Sequence, residues 1–179
     1  MPHDRHRHQS FPPLVSPRAR VLVLGSLPGA ESLAQGRYYA HPRNRFWPVV
    51  AAVFGLGTEA HGEVDWAARF AALDAAGVAL WDVLGGAARV GSLDTAIVRS
   101  TEEPNDVAGL LAAHPGIRRV GLNGRTAEAL FARWVAPRLP PGVADRLEIH
   151  ALPSTSPANA RFRLEDLVRA WAVLRVPPA

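Results

Sequence analysis

The segment Val21-Leu22-Val23-Leu24-Gly25-Ser26-Leu27-Pro28-Gly29 decides the fold class. A short run of valine and leucine ending in glycine reads as a strand, and the Gly/Ser/Pro residues after it read as a turn that allows close backbone approach. Three further runs have the same character: Val78-Ala79-Leu80-Trp81, Arg119-Val120-Gly121-Leu122 and Leu147-Glu148-Ile149-His150-Ala151-Leu152. Each is bounded by Gly, Pro or a polar turn. Helical periodicity fills the intervals, over residues 46–54, 64–76, about 104–113, 125–135 and 164–174. In the last of these Leu164, Leu167, Val168, Trp171 and Leu174 share one face, which is core packing. Pro48 fits the first turn of its helix, and Pro104, after Thr101-Glu102-Glu103, reads as a first-turn proline. Strands alternating with helices predict an α/β fold with a central, mainly parallel sheet of four strands.

The length of 179 residues, 48% apolar and 20% charged, suits one compact domain, expected over 18–179. Residues 1–17, with His3, His6, His8 and several prolines, lack periodicity and read as a flexible N-terminal arm. Those histidines have no acid or cysteine partner at a ligand spacing, and His41, His61, His114 and His150 show no His-x-x-x-His pairing, so no metal site is expected. No apolar run reaches the roughly 18 residues of a spanning helix, and the polar N-terminus is unlike a signal peptide; a soluble, cytoplasmic protein with no membrane partner is expected. With no cysteine, disulfides, thiol nucleophiles and cysteine-ligated clusters are excluded. All 20 basic residues are arginine, so neither a lysine Schiff base nor a Walker loop can form. Against 16 acids the formal charge is only +4, which permits nucleic-acid binding without demanding it.

In an open α/β sheet, ligands bind at the carboxyl ends of the strands. The loops expected there are Gly25 to Gly29, continuing to Tyr38-Tyr39-Ala40-His41-Pro42-Arg43-Asn44-Arg45-Phe46-Trp47, and Leu152-Pro153-Ser154-Thr155-Ser156-Pro157-Ala158-Asn159. No Gly-x-Ser-x-Gly elbow and no Gly-x-Gly-x-x-Gly loop occurs, which sets aside the common serine hydrolases and dinucleotide binders. Taken singly, Tyr38 and Tyr39 read as loop packing and Asn44 as a helix cap before Phe46. Taken together, an aromatic platform, a neutral amide and hydroxyl-rich loops on one sheet edge are what a pocket for an extruded nucleobase requires.

These loops resemble the uracil-DNA glycosylase superfamily, and more narrowly its hypoxanthine-DNA (deoxyinosine) glycosylase branch, from about Arg20 to the C-terminus. The resemblance implies a three-layer α/β/α sandwich around the four-stranded sheet, DNA containing deaminated bases as partner, a monomer, and no metal or other cofactor. Zero cysteine separates the chain from the iron-sulfur branches. Leu27 and Leu152 stand where the uracil-excising branches place polar residues. The catalytic amide carries over instead to Asn44, in His-Pro-Arg-Asn, and the base-stacking aromatic to Tyr39. Ser26, Leu27, Gly29 and Phe46 are expected around the base. Asp82 lies where many members place the asparagine that reads the base edge, and reads equally as a loop cap or an arginine partner. Ser154, Thr155, Ser156 and Asn159, with Arg43 and Arg45, are expected on DNA phosphates, helped by Arg161 and Arg163; the usual wedge leucine is replaced by Ser156. Excision of hypoxanthine without strand scission is the expected activity. Mismatch-specific uracil excision and a silent nucleic-acid-binding module are the alternatives.

Overall fold

A computed structural model describes residues 7–57, 65–91 and 93–176. In chain order the elements are β1 (Arg7–Gln9), β2 (Val21–Gly25), α1 (Ala30–Gln35), α2 (Phe46–Phe54), α3 (Trp66–Ala75), β3 (Val78–Asp82), β4 (Leu84–Ala88), β5 (Glu103–Pro104), α4 (Val107–Ala113), β6 (Arg119–Asn123), α5 (Arg125–Trp134), α6 (Pro141–Ala144), β7 (Glu148–Leu152) and α7 (Leu164–Trp171). The main sheet has the order β3-β2-β6-β7, with every neighbour parallel. All five residues of β2 are buried, as a central strand between two helical layers requires.

Alternation along β2 separates two cores. Leu22 and Leu24 pack with Val107, Leu111, Leu130 and Phe131 of α4 and α5. Val21 and Val23 pack with Phe46, Val50, Leu73, Leu167 and Trp171 of α2, α3 and α7. The result is the expected α/β fold, a parallel four-stranded sheet flanked by helices on both faces. Gly121 lies in β6 where α7 runs into its 3₁₀ extension: a Cβ there would lie 2.8 Å from Leu174 Cδ1, so a larger residue would push the extension off the sheet.

Two sequence readings are corrected. From Arg7 onward the N-terminal segment is docked rather than free: β1 pairs antiparallel with β4, and Leu14 and Leu80 exchange two backbone hydrogen bonds of 2.9 Å. Residues 1–6, including His3 and His6, lie outside the described residues, as do Val64 and His61. Pro104 opens no helix. It belongs to β5, which completes the small sheet β1-β4-β5, and α4 starts after Asp106, whose carboxylate accepts from Gly109 N–H at 2.9 Å. Among the described residues no helix is long and apolar enough to cross a membrane, and no three His, Asp or Glu side chains cluster as a metal site would need.

Candidate active site

Parallel pairing brings the carboxyl ends of β2, β3 and β6 side by side, so Gly25, Asp82 and Asn123 meet at one edge. Gly25 and Asp82 are direct partners in the ladder. A Cβ on Gly25 would lie 2.5 Å from Asp82 Oδ1 and 3.2 Å from the Tyr39 hydroxyl, so the missing side chain is what lets both groups converge over the strand end. Tyr39 reaches that position from a left-handed backbone at φ 53°, which is uncommon outside glycine and marks a conformation imposed by its surroundings.

Asp82 is 4% exposed. Ser10, from the docked N-terminal segment, donates to its Oδ2 at 2.6 Å, and Asn105 donates to its backbone carbonyl at 2.8 Å. Burial lifts the carboxyl to about 7; the Ser10 bond opposes the shift, the nearby Asp94 adds to it, and Arg89 opposes it. The group is thus protonated through much of the acidic range and changes state at neutrality. The Tyr39 hydroxyl is buried without a hydrogen-bond partner, with Asn123 alongside, and burial and Asp82 raise its pKa. Asn123 is itself fixed by a reciprocal pair with Thr155: its amide donates to Thr155 Oγ1 at 3.1 Å and its Oδ1 accepts from Thr155 N–H at 3.0 Å.

The structure distributes the residues singled out in the sequence over three roles. Tyr39 lies flat on Phe46, with centroids 3.8 Å apart and planes at 14°, so one face of the tyrosine is taken up within the protein. Phe46 is fully buried, and it supports Tyr39 from behind instead of lining the pocket. Leu27 is turned into the core below β2, leaving only its backbone for the loop surface. Gly29 precedes α1, where a Cβ would meet open space. Ser26 donates to Asp94 Oδ2 at 2.7 Å.

Asn44 is half-buried, and its Oδ1 accepts from Phe46 N–H at 3.0 Å, which fixes its amide plane; it stands one residue before the N-cap of α2, which is Arg45 and makes no side-chain cap bond. Arg45 is structural in this state. Its guanidinium donates to the carbonyls of Ser156 at 3.1 Å, Asn159 at 2.8 Å and Phe162, while its own N–H donates to Thr155 O at 3.0 Å. The two loops read as separate motifs are therefore one unit with Arg45 at its centre. Thr155 is fully buried against Asn123 and cannot reach a phosphate with its hydroxyl. Ser154, Ser156 and Asn159 are half-buried, bonded within the loop, and keep outward-facing capacity; Asn159 Nδ2 donates to Ser154 O at 2.9 Å. Arg43 is exposed, and Arg161 lies over the Phe162 ring at 5.0 Å.

Sequence reasoning missed Ser10, Asn123, Arg89 and Asp94. Arg89 is 1% exposed; its Nη2 donates to Pro28 O at 2.7 Å, its Nη1 lies 3.8 Å from Asp94 Oδ1, and its Nε and Nη1 have no hydrogen-bond partner. Burial lowers its pKa and raises that of Asp94. Only Asn123, at a strand end, carried a sequence signal that could have found it.

Comparison with known proteins shows the family. The profile of the uracil DNA glycosylase superfamily matches residues 12–175. The chain is 33% identical over 157 residues, 86% of its own length and 89% of the relative's, to a protein named hypoxanthine DNA glycosylase from Methanosarcina acetivorans. It is 34% identical over 119 residues, 66% of its length and 72% of the relative's, to one of the same name from Methanosarcina barkeri. A solution NMR structure described as a candidate uracil DNA glycosylase from Methanosarcina acetivorans superposes with a TM-score of 0.72 at 31% identity, covering 94% of this chain and 99% of the other. The chain belongs to the uracil DNA glycosylase superfamily.

Proposed function

We propose that this protein is a DNA glycosylase that takes hypoxanthine, the base of deoxyinosine, out of the DNA stack and hydrolyses its N-glycosidic bond, leaving an intact abasic site. The observation that carries the reading is Asp82: a buried carboxyl at the strand end, poised near neutrality, with Ser10 on Oδ2 and with Oδ1 beside Gly25 and Tyr39. A neutral carboxylic acid both donates and accepts. It therefore complements a lactam edge, where an N–H lies next to a C=O, as in hypoxanthine. Tyr39 offers the base its face away from Phe46, and the Gly25 to Gly29 backbone approaches it closely because glycine and a core-facing Leu27 keep that surface bare.

Cleavage leaves positive charge on the sugar and negative charge on the departing base. Asn44 suits the first task, since its amide, fixed through Phe46 N–H, holds water at the anomeric carbon without titrating. The protonated Asp82 carboxyl, a hydrogen-bond donor at the strand end, suits the second. Ser154, Ser156, Asn159 and Arg43 grip the flanking phosphates, with Arg45 and Thr155 holding the loop that presents them. The absence of lysine leaves no lysine imine to cut the strand at the abasic sugar.

Uracil offers the same lactam edge and is the second reading, favoured by the structural neighbour described as a candidate uracil DNA glycosylase. Incubation with duplexes containing deoxyinosine or deoxyuridine, followed by alkali, separates the readings. Alkali-dependent cleavage at inosine is expected; cleavage at uracil alone supports the second reading, and cleavage at neither ends both. Asn44→Ala should remove most single-turnover excision without loss of stability beyond that of its hydrogen bond to Phe46 N–H, about 1 kcal/mol; near-normal rates would refute the role of Asn44.

A further inference from the structure

The position at which the wider superfamily places its wedge leucine is Ser156 here, so the side chain that fills the gap left by an extruded base must come from elsewhere. We infer that Leu93, at the tip of the excursion between β4 and β5, is that wedge, with Val90 beside it. The inference rests on the glycosylase reading above.

The excursion is closed at its base by Val98 N–H to Ala88 O at 2.8 Å and by a bridge between Arg89 and Ile97. Its tip is fastened to the first motif at two points. Asp94 Oδ2 accepts from Ser26 Oγ at 2.7 Å, and Arg89, buried beneath the tip, donates to Pro28 O at 2.7 Å. Leu93 and Val90 adjoin those two anchors in sequence, and both point away from the core, 57% and 46% exposed. A single exposed apolar residue is ordinary. Two of them on a braced tip, each next to a residue bonded to the loop that faces the base, are not explained by packing. Among the described residues, the other large apolar side chains left exposed, Ile149, Leu164, Val173 and Val176, lie on β7, on α7 and in the turn after α7.

Apolar side chains that enter a base stack hold it open at the cost of lost stacking, and they work only from a support that does not yield. The Ser26–Asp94 and Arg89–Pro28 bonds supply that support. They also tie the wedge to the loop that contacts the base, so insertion of Leu93 and capture of the base are one movement. A leucine has no role of this kind on single-stranded DNA, where no gap has to be filled.

That difference is the test. Single-turnover excision of hypoxanthine is measured for the wild type, Leu93→Ala, Val90→Ala/Leu93→Ala and Ile149→Ala, on an inosine-containing duplex and on the same strand unpaired. In parallel, the fluorescence of 2-aminopurine placed next to the inosine reports unstacking on binding. Leu93→Ala should slow duplex excision at least about tenfold, keep single-strand excision within about twofold, and lower the fluorescence rise; Leu93→Met should restore most of each, and Ile149→Ala should resemble the wild type. Equal rates for Leu93→Ala and wild type on the duplex, or equal losses on both substrates, overturn the inference. If the wild type excises from neither substrate, the hypoxanthine reading fails, and the fluorescence comparison alone decides whether Leu93 enters the stack.

Discussion

Asp82 has the unusual property that its two oxygens belong to different parts of the chain, one to Ser10 and the other to the strand-end space of Gly25. Two pH effects follow. Its pKa is raised in the folded state, so its contribution to stability is complete below about pH 4 and is lost as pH rises through about 7. The stability difference between wild type and Asp82→Asn, measured by urea unfolding, should tilt against the wild type by up to about 1.4 kcal/mol per pH unit between those limits and then level off. In excision, the wild type loses its donor as pH passes 7, whereas Asp82→Asn keeps both a donor and an acceptor and should show no such decline. Gly25→Ala forces a methyl to within 2.5 Å of Asp82 Oδ1; a loss of about 1–3 kcal/mol by urea midpoint, together with loss of excision, is expected. The sequence located Asp82 through the end of its strand, because parallel strands place equivalent ends together. It did not show Ser10 as its partner, since a hydroxyl 72 residues away has no local signature.

At the scale of elements, the four main strands and the helix Phe46–Phe54 lie where their apolar periods put them. What the periods did not reveal was the small sheet. Strand β4, Leu-Gly-Gly-Ala-Ala, has almost no strand propensity of its own and exists because β1 and β5 pair with it. The same pairing claims Pro104, whose proline signal otherwise suits a helix start. Arg45 is equally illegible from local sequence: an arginine in a DNA-binding motif suggests phosphate, whereas three carbonyls of the 156–162 turn take up its donors here. Arg45→Met should therefore act on stability, costing about 2–3 kcal/mol, and should speed amide exchange across residues 153–162 while leaving β2 protected. A change confined to DNA affinity would show instead that the clamp is dispensable.

For the whole molecule, the arginine content overstates the charge that DNA can meet. Arg89 is buried, Arg45 is spent on backbone carbonyls, and Arg119 pairs with Glu148 at the amino end of β6, away from the site. Affinity for DNA should then fall only gently with salt, with a log–log slope of about −2 to −4, and Arg43→Ala should reduce its magnitude by about 1. Titrations from low to moderate ionic strength would measure both, and a slope near −10 would contradict this account of the surface.

The distances in sequence between the groups that meet at the sheet edge also order events during synthesis. Ser10 waits 72 residues for Asp82, and Arg45 waits more than a hundred for the carbonyls of Ser156, Asn159 and Phe162. A nascent chain therefore carries the first motif long before it has the second. The Arg45 clamp can therefore close only once Phe162 has been added, so the two motifs become one unit late relative to the strand that carries the first.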